Sequence, residues 1–186
     1  SIQDLTKAGS QPMRSKCGRY IIAFNGEIYN HLDLRSEIKK INKFSFNSCS
    51  DTESLIESIS LWGIEKTLKK INGMFAFALW DNKLKSLHLA RDRFGEKPLY
   101  FGWLDESLVF ASELKAIRKN PNFKNIINKK AIAEYLNKGY VPSPLSIYEN
   151  IYKVEPGSYI SLNCNFPKLP PKKPISLDTS YGNVIV

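Results

Sequence analysis

The run Ile21-Ile22-Ala23-Phe24 is the feature that most limits how this chain can fold. Four apolar residues, β-branched or aromatic apart from Ala23, are too few for a helix and suit a strand covered on both faces. The run stops at Asn25-Gly26, a pair that tolerates positive φ and ordinarily turns a hairpin. The return strand of a hairpin is missing. Glu27, Tyr29, Asn30 and His31 follow and lead into a helical pattern, so the strand end presents polar groups instead of folding back. A side-chain amide beside a glycine N–H at a strand terminus can supply two donors to a developing oxyanion. A plain turn fits the same residues.

Downstream, Leu34, Ile38 and Ile41 recur at helical spacing, with Asn30 as the N-cap. Phe44-Ser45-Phe46 alternates like a short strand. Ser50-Asp51-Thr52-Glu53 reads as a capping box, Ser50 at the N-cap and Glu53 at N3, opening a helix through Trp62 that Gly63 ends. The cap leaves Asp51 unexplained except as a favourable charge in the first turn. Ile64, Leu68 and Ile71 mark a further helix stopped by Gly73, and 74–80 is an unbroken apolar run that suits a central strand. Asp81-Asn82-Lys83 turns it into a strand over 86–90. Strands over 98–103 and 108–111 and a short helix over 113–117 follow, with 91–95 as a charged supporting turn. A helix over 129–138, with Ile132 and Leu136 on one face, closes at Gly139, and 140–144 is an extended linker. The Pro/Lys stretch 167–174 has no apolar periodicity, so the tail from 163 is expected to be disordered or atypical. Interspersed helices and hairpin-linked strands predict an α+β fold with antiparallel sheets.

Composition excludes several functions. The 186 residues, 42% apolar with ten Phe, nine Tyr and three Trp, are those of a folded globule with one sizeable core. No apolar run approaches membrane-spanning length and no basic-then-apolar leader opens the chain, so no membrane role is expected and the location reads as cytoplasmic. The net charge of +9 invites nucleic acid as a partner. Lys39-Lys40, Lys69-Lys70, Lys129-Lys130 and Lys172-Lys173 are scattered pairs rather than a basic stripe, which argues against it. Cys17, Cys49 and Cys164 are odd in number and lack ligand spacing, so they read as ordinary core or loop residues. His31 and His88 read as structural, and no metal site is expected.

Five blocks stand in order: 25–30 (NGEIYN), 50–53 (SDTE), 73–81 (GMFAFALWD), 90–100 (ARDRFGEKPLY) and 111–116 (ASELKA). With 139–144 and 156–159, they resemble the glutaminase half of glutamine-dependent asparagine synthetases, class II glutamine amidotransferases, up to about Leu162. That resemblance implies the N-terminal nucleophile hydrolase fold, a four-layer αββα sandwich. It implies a glutaminase domain over 1–128, a linker helix and the end of the glutaminase half over 129–162, and no ATP-dependent synthetase domain within the chain. Asn25 and Gly26 would form the oxyanion hole. Asp51, assisted by Glu27, would hold the α-ammonium of glutamine, with Ile2 lining the pocket.

The resemblance also bears on what this chain can do alone. The family's nucleophile is an N-terminal Cys activated by its own α-amine, and no such residue is present. Ser1 reads as a truncation point, so the expectation is a fragment that is inactive by itself and whose missing first strand leaves an unpaired sheet edge. No cofactor is expected on the fragment; ATP and magnesium would belong to the synthetase half, which would use the ammonia to make L-asparagine from L-aspartate. L-glutamine and the synthetase domain of the same full-length chain are the expected partners, and a homodimer stays open. Two other readings compete: an amidotransferase with a different acceptor, such as a polysaccharide carboxylate, and a non-catalytic glutamine-binding module.

Overall fold

The computed structural model describes residues 4, 6–41 and 43–163, and the backbone of 183–185. At its centre β3 (Gly73–Asp81) pairs on one side with β2 (Tyr20–Ile28) and on the other with β4 (Ser86–Arg91), both antiparallel. β1 (Met13–Arg14) pairs with β2, β8 (Tyr159–Asn163) with β4, and β9 (Asn183–Ile185) runs parallel to β8. A second sheet has β5 (Tyr100–Leu104) between β6 (Ser107–Ala111) and β7 (Ile151–Lys153). The helices are α1 (His31–Ile41), α2 (Asp51–Trp62), α3 (Ile64–Lys70), α4 (Leu114–Ile117) and α5 (Lys129–Lys138).

Side-chain alternation sorts these elements into layers. Ile22 and Ile28 of β2 and Phe75, Phe77 and Leu79 of β3 face Leu34 of α1, Leu55, Ile56 and Ile59 of α2, and Leu68 of α3. On the other face, Ala76 and Ala78 of β3, Leu87 and Leu89 of β4 and Ile160 of β8 meet Phe101 and Trp103 of β5. Beneath the second sheet, Leu104 and Ile151 pack on Ile117 of α4. The order is helix, sheet, sheet, helix, an α+β sandwich. β7 and β8, from the stretch read as the end of the glutaminase half, contribute one strand to each sheet.

α2 is buried without interruption from Asp51 to Ile59, polar residues included. Buried polar groups cost free energy unless hydrogen-bonded, and here most are bonded, the Thr52 hydroxyl being the exception. Arg35 Nε donates to Ser54 Oγ at 2.7 Å, and Ser58 Oγ donates to Ser54 O at 2.7 Å. Glu57 Oε1 accepts from Lys16 N at 2.6 Å, while burial pushes its carboxyl pKa up. Ser50 caps the helix by accepting from Thr52 N, and Glu53 accepts from Asn47 N, Ser48 N and Ser48 Oγ. The carboxylate read as the far half of a capping box thus folds the preceding loop onto the helix.

The charged turn after β4 supports the fold through its backbone groups. Asp92 is buried and accepts from the N–H groups of Phe75, Phe94, Glu96 and Lys97. Arg91 donates to the carbonyls of Gly95, Lys97 and Val154. Arg93 donates to the carbonyls of Leu68, Lys69 and Ile71, filling acceptors that the end of α3 leaves open.

Several local expectations are corrected. Residues 44–46 form no strand; Phe44 and Phe46 meet edge to face at 4.8 Å, with Lys16 and Arg35 over their rings. The Asn30 side chain donates to Lys70 O and accepts from Asn72 N, so it ties the start of α1 to the end of α3 rather than capping α1. α3 ends at Lys70, and Ile41 is exposed. On α5 the buried residue is Ala131, whereas Ile132 is 39% and Leu136 78% exposed. Its ends are fixed locally, by Asn128 capping the first N–H groups and by left-handed Gly139, so the helix needs no broad apolar seat. In the tail, Asn163 closes β8 and 183–185 form β9; residues 164–182, the Pro/Lys stretch included, lie outside the described residues, as does 186.

Two predictions follow from the β2–β3 pairing. Gly26 has φ 152°, and a Cβ there would sit 2.1 Å from Met74 O and 2.7 Å from Phe75 Cα, both backbone. Gly26→Ala should therefore cost about 3 kcal/mol of stability in urea unfolding, near the upper end of single substitutions. At the opposite end, Arg19 Nε and Nη2 grip Asp81, whose Oδ1 also accepts from Lys83 N and Leu84 N. Burial raises the Asp81 pKa, but Arg19 and the two N–H groups outweigh it and hold the carboxyl below the usual range. A depressed folded pKa means stability that is complete above about pH 4 and lost as pH falls through the folded value. Asp81→Asn should lower stability at pH 7 by about 1–3 kcal/mol. The gap should close as urea midpoints are followed toward pH 2.5; a gap independent of pH would remove Asp81 from the acid transition.

Candidate active site

Among the described residues, the end of β2 that reads Asn25-Gly26-Glu27-Ile28 forms an open sheet edge. In a strand, successive N–H groups point to opposite sides, so alternate residues of β2 face β3 and the edge. The anchored edge groups show which residues they are. Tyr20 N donates to Ser15 Oγ at 3.0 Å, Phe24 N to Gln11 Oε1 at 2.6 Å, and Ile28 N to Asp51 Oδ2 at 2.9 Å. Gly26 N–H belongs to this set and lies between the last two. β1 covers the edge only opposite Ile21 and Ile22, and among the described residues no acceptor is paired with Gly26 N.

Asn25 projects from the face shared with Ala23 and Glu27, toward the second sheet. Its Nδ2 donates to Ser112 Oγ at 3.1 Å, and Ser112 directly follows β6, so the bond spans the mouth between the two sheets. A primary amide carries two N–H bonds; Ser112 takes one and fixes the direction of the other. Glu27 sits two residues on, partly exposed, with an interaction of its own.

Asp51 begins α2 and is 3% exposed. Its Oδ2 holds Ile28 N and its Oδ1 accepts from Thr52 N at 2.9 Å. The first turn of a helix favours a carboxylate, and each oxygen retains a further lone pair. The fold thus brings Asn25, Gly26, Glu27 and Asp51 to one end of β2; Ile2 lies outside the described residues. Gln11 and Ser112 were not anticipated. Ser112 is 87 residues from Asn25, and no local spacing could link them.

The remaining candidates lie elsewhere. Cys17 precedes β2 at its other end, and the six residues from Tyr20 to Gly26 put about 20 Å between them at 3.3 Å per residue. Its thiol bonds to Ser15 Oγ and Ser60 Oγ. Burial works to raise the Cys17 pKa, but those hydroxyls and Arg19 N–H bring it below the ordinary thiol value. Cys49 is exposed with its N–H on Asp4; Cys164 lies outside the described residues. His88 sits between Ser86 Oγ at 3.1 Å and Ser161 Oγ at 2.7 Å, and burial lowers its pKa, which keeps the ring neutral. Among the described residues no three His, Cys, Asp or Glu side chains cluster for a metal, and no helix is long and apolar enough to cross a membrane.

Comparison with known proteins places the chain in a family. The model of the glutamine amidotransferase domain matches residues 1–168. Asparagine synthetase [glutamine-hydrolyzing] 1 of Bacillus subtilis is 38% identical over 154 residues, covering 83% of this chain and 24% of the relative. Putative asparagine synthetase [glutamine-hydrolyzing] 2 of Methanocaldococcus jannaschii is 37% identical over 171 residues, 83% of this chain and 32% of the relative. The chain therefore spans 24% and 32% of these two relatives' length. Among solved structures, glutamine phosphoribosylpyrophosphate amidotransferase from B. subtilis, complexed with ADP and GMP, superposes with a TM-score of 0.61 at 22% identity, over 87% of this chain and 31% of that one. That likeness identifies the sandwich as the N-terminal nucleophile hydrolase fold. The chain belongs to the glutamine amidotransferase domain family, with sequence relatives among the glutamine-hydrolysing asparagine synthetases.

Proposed function

We propose that this domain binds L-glutamine at the open edge of β2 and stabilises the oxyanion formed when its side-chain amide is hydrolysed to glutamate and ammonia. The observation that carries the reading is Gly26 N–H, lying between two edge N–H groups already held by Gln11 and Asp51 and next to an Asn25 amide oriented by Ser112. Two donors fixed before the substrate arrives need no reorganisation as charge develops on the amide oxygen. Asp51, with Glu27 beside the same strand end, supplies negative charge for the α-ammonium through the lone pairs its backbone partners leave. In the full-length protein the ammonia would pass to a synthetase domain that makes L-asparagine, as the names of the relatives suggest, with L-aspartate, ATP and magnesium as the reagents that the resemblance of the sequence blocks implies for it. A cytoplasmic location accords with two exposed, unpaired thiols, Cys17 and Cys49.

The test separates binding from chemistry. Isothermal titration of the domain with L-glutamine should show saturable binding that Asp51→Asn weakens at least tenfold, since asparagine can still accept from Ile28 N but brings no charge. In the full-length protein, Asn25→Ala should lower kcat for ammonia release by about 10²-fold with a much smaller change in glutamine affinity. Ser112→Ala should lower kcat several-fold in the same direction. Unchanged kcat in Asn25→Ala would sink the oxyanion assignment. Saturable glutamine binding with no ammonia release from the full-length protein would leave a glutamine-binding module instead.

A further inference from the structure

We propose that Arg91 and Lys153 form a second site, for a small oxyanion, in the cleft between the turn after β4 and the loop after α5. The cleft encloses about 200 Å³, and its lining includes Arg91, Tyr100, Tyr140, Ser143 and Lys153. Ligand sites for drug-sized molecules run to roughly 300–1,000 Å³, so this one suits inorganic phosphate or a single carboxylate and not a nucleotide. The two cations are half-buried. Among the described residues neither enters an ion pair, whereas half-buried Arg19 and Arg35 each have a carboxylate, Asp81 and Glu53. The acid next in sequence, Asp92, points its oxygens at four backbone N–H groups.

Both cations are oriented without being neutralised. Arg91 gives one N–H from each of Nε, Nη1 and Nη2 to the carbonyls of Lys97, Val154 and Gly95, leaving two of its five donors. Lys153 Nζ donates to Val141 O and keeps two more hydrogens. Carbonyls fix direction but bring no negative charge, and two like charges out of water disfavour one another. Burial pushes both pKa values down; the Asp92 charge opposes it at Arg91 without reversing it, and Arg91 adds to it at Lys153. An oxyanion between them would supply the missing charge through charge-assisted bonds, with the Tyr100, Tyr140 and Ser143 hydroxyls for its remaining oxygens. Strand register sets the site apart from the amide-binding edge: Asn25 pairs with Ala76 and Ala76 with Arg91, two strand spacings or about 10 Å. The sites share no residue, so the second stands or falls independently of the first.

The probes are inorganic phosphate and acetate, each titrated against the domain at an ionic strength held constant with chloride, with binding read by calorimetry and Tm by scanning. Phosphate should bind saturably and raise Tm beyond the chloride control, and Lys153→Gln should weaken it at least tenfold. Competition by acetate would assign the site to carboxylates, and its failure to compete to tetrahedral dianions. A phosphate response equal to chloride, or one unaltered in Lys153→Gln, overturns the proposal. Should Lys153→Gln fail to fold, Ser143→Ala and Tyr140→Phe carry the test at the rim: two- to fivefold weaker phosphate binding supports the site, and unchanged binding by both overturns it.

Discussion

The bond from Ile28 N–H to the Asp51 carboxylate holds the site end of this domain together. It joins the last residue of β2 to the first residue of α2, across 23 positions of sequence, and both partners are buried. A buried carboxylate is tolerable only where its oxygens are engaged, and here the N–H groups of β2 and of the helix's own first turn engage them. Removing either would leave a charge or a donor in the core. The helix cannot slide along the sheet without breaking that bond, so the position of Asp51 relative to Gly26 is set by the fold rather than by ligand.

The same economy of charge recurs through the core. Asp92 gathers four N–H groups, Arg91 three carbonyls and Arg93 the open end of α3, so the block rich in charged residues acts as a backbone clamp between the two sheets and the helical layer. Glu57 and Glu53 do likewise for the segments that precede β2 and α2. Charged side chains that bond irregular backbone allow a buried loop to satisfy groups that no helix or strand partner reaches. Arg91 shares that pattern with Lys153, each bonding carbonyls and, among the described residues, neither meeting a carboxylate in an ion pair.

How much could be read from sequence divides along the range of the forces involved. β3, β4 and α2 were legible because an unbroken apolar run, a strand alternation and a Ser50 cap are local signals. Residues 44–46 alternate like a strand, but two rings meeting each other and two cations from other segments satisfy them better than a ladder. Leu136 sits at helical spacing with Ile132, yet Ala131 is the contact residue because the caps stabilise α5 without a wide apolar face. At the site, Asn25, Gly26, Glu27 and Asp51 carry a family signature, whereas Gln11 and Ser112 act through contacts 13 and 87 residues away that only the folded chain creates.

The oxyanion hole we propose at this strand end poses a structural conflict that Gln11 and Asp51 address. A donor must stay available for the substrate, but a row of open N–H groups on an edge strand invites pairing with another chain. The edge of β2 is therefore closed piecemeal, by β1 at Ile21 and Ile22, by the Gln11 amide at Phe24 and by the Asp51 carboxylate at Ile28. A continuous partner strand would have covered Gly26 as well. Single side-chain acceptors on either side hold the backbone in place while leaving the intervening N–H open, and Gly26, whose Cβ would collide with β3, lets the two strands approach closely enough for that geometry to hold.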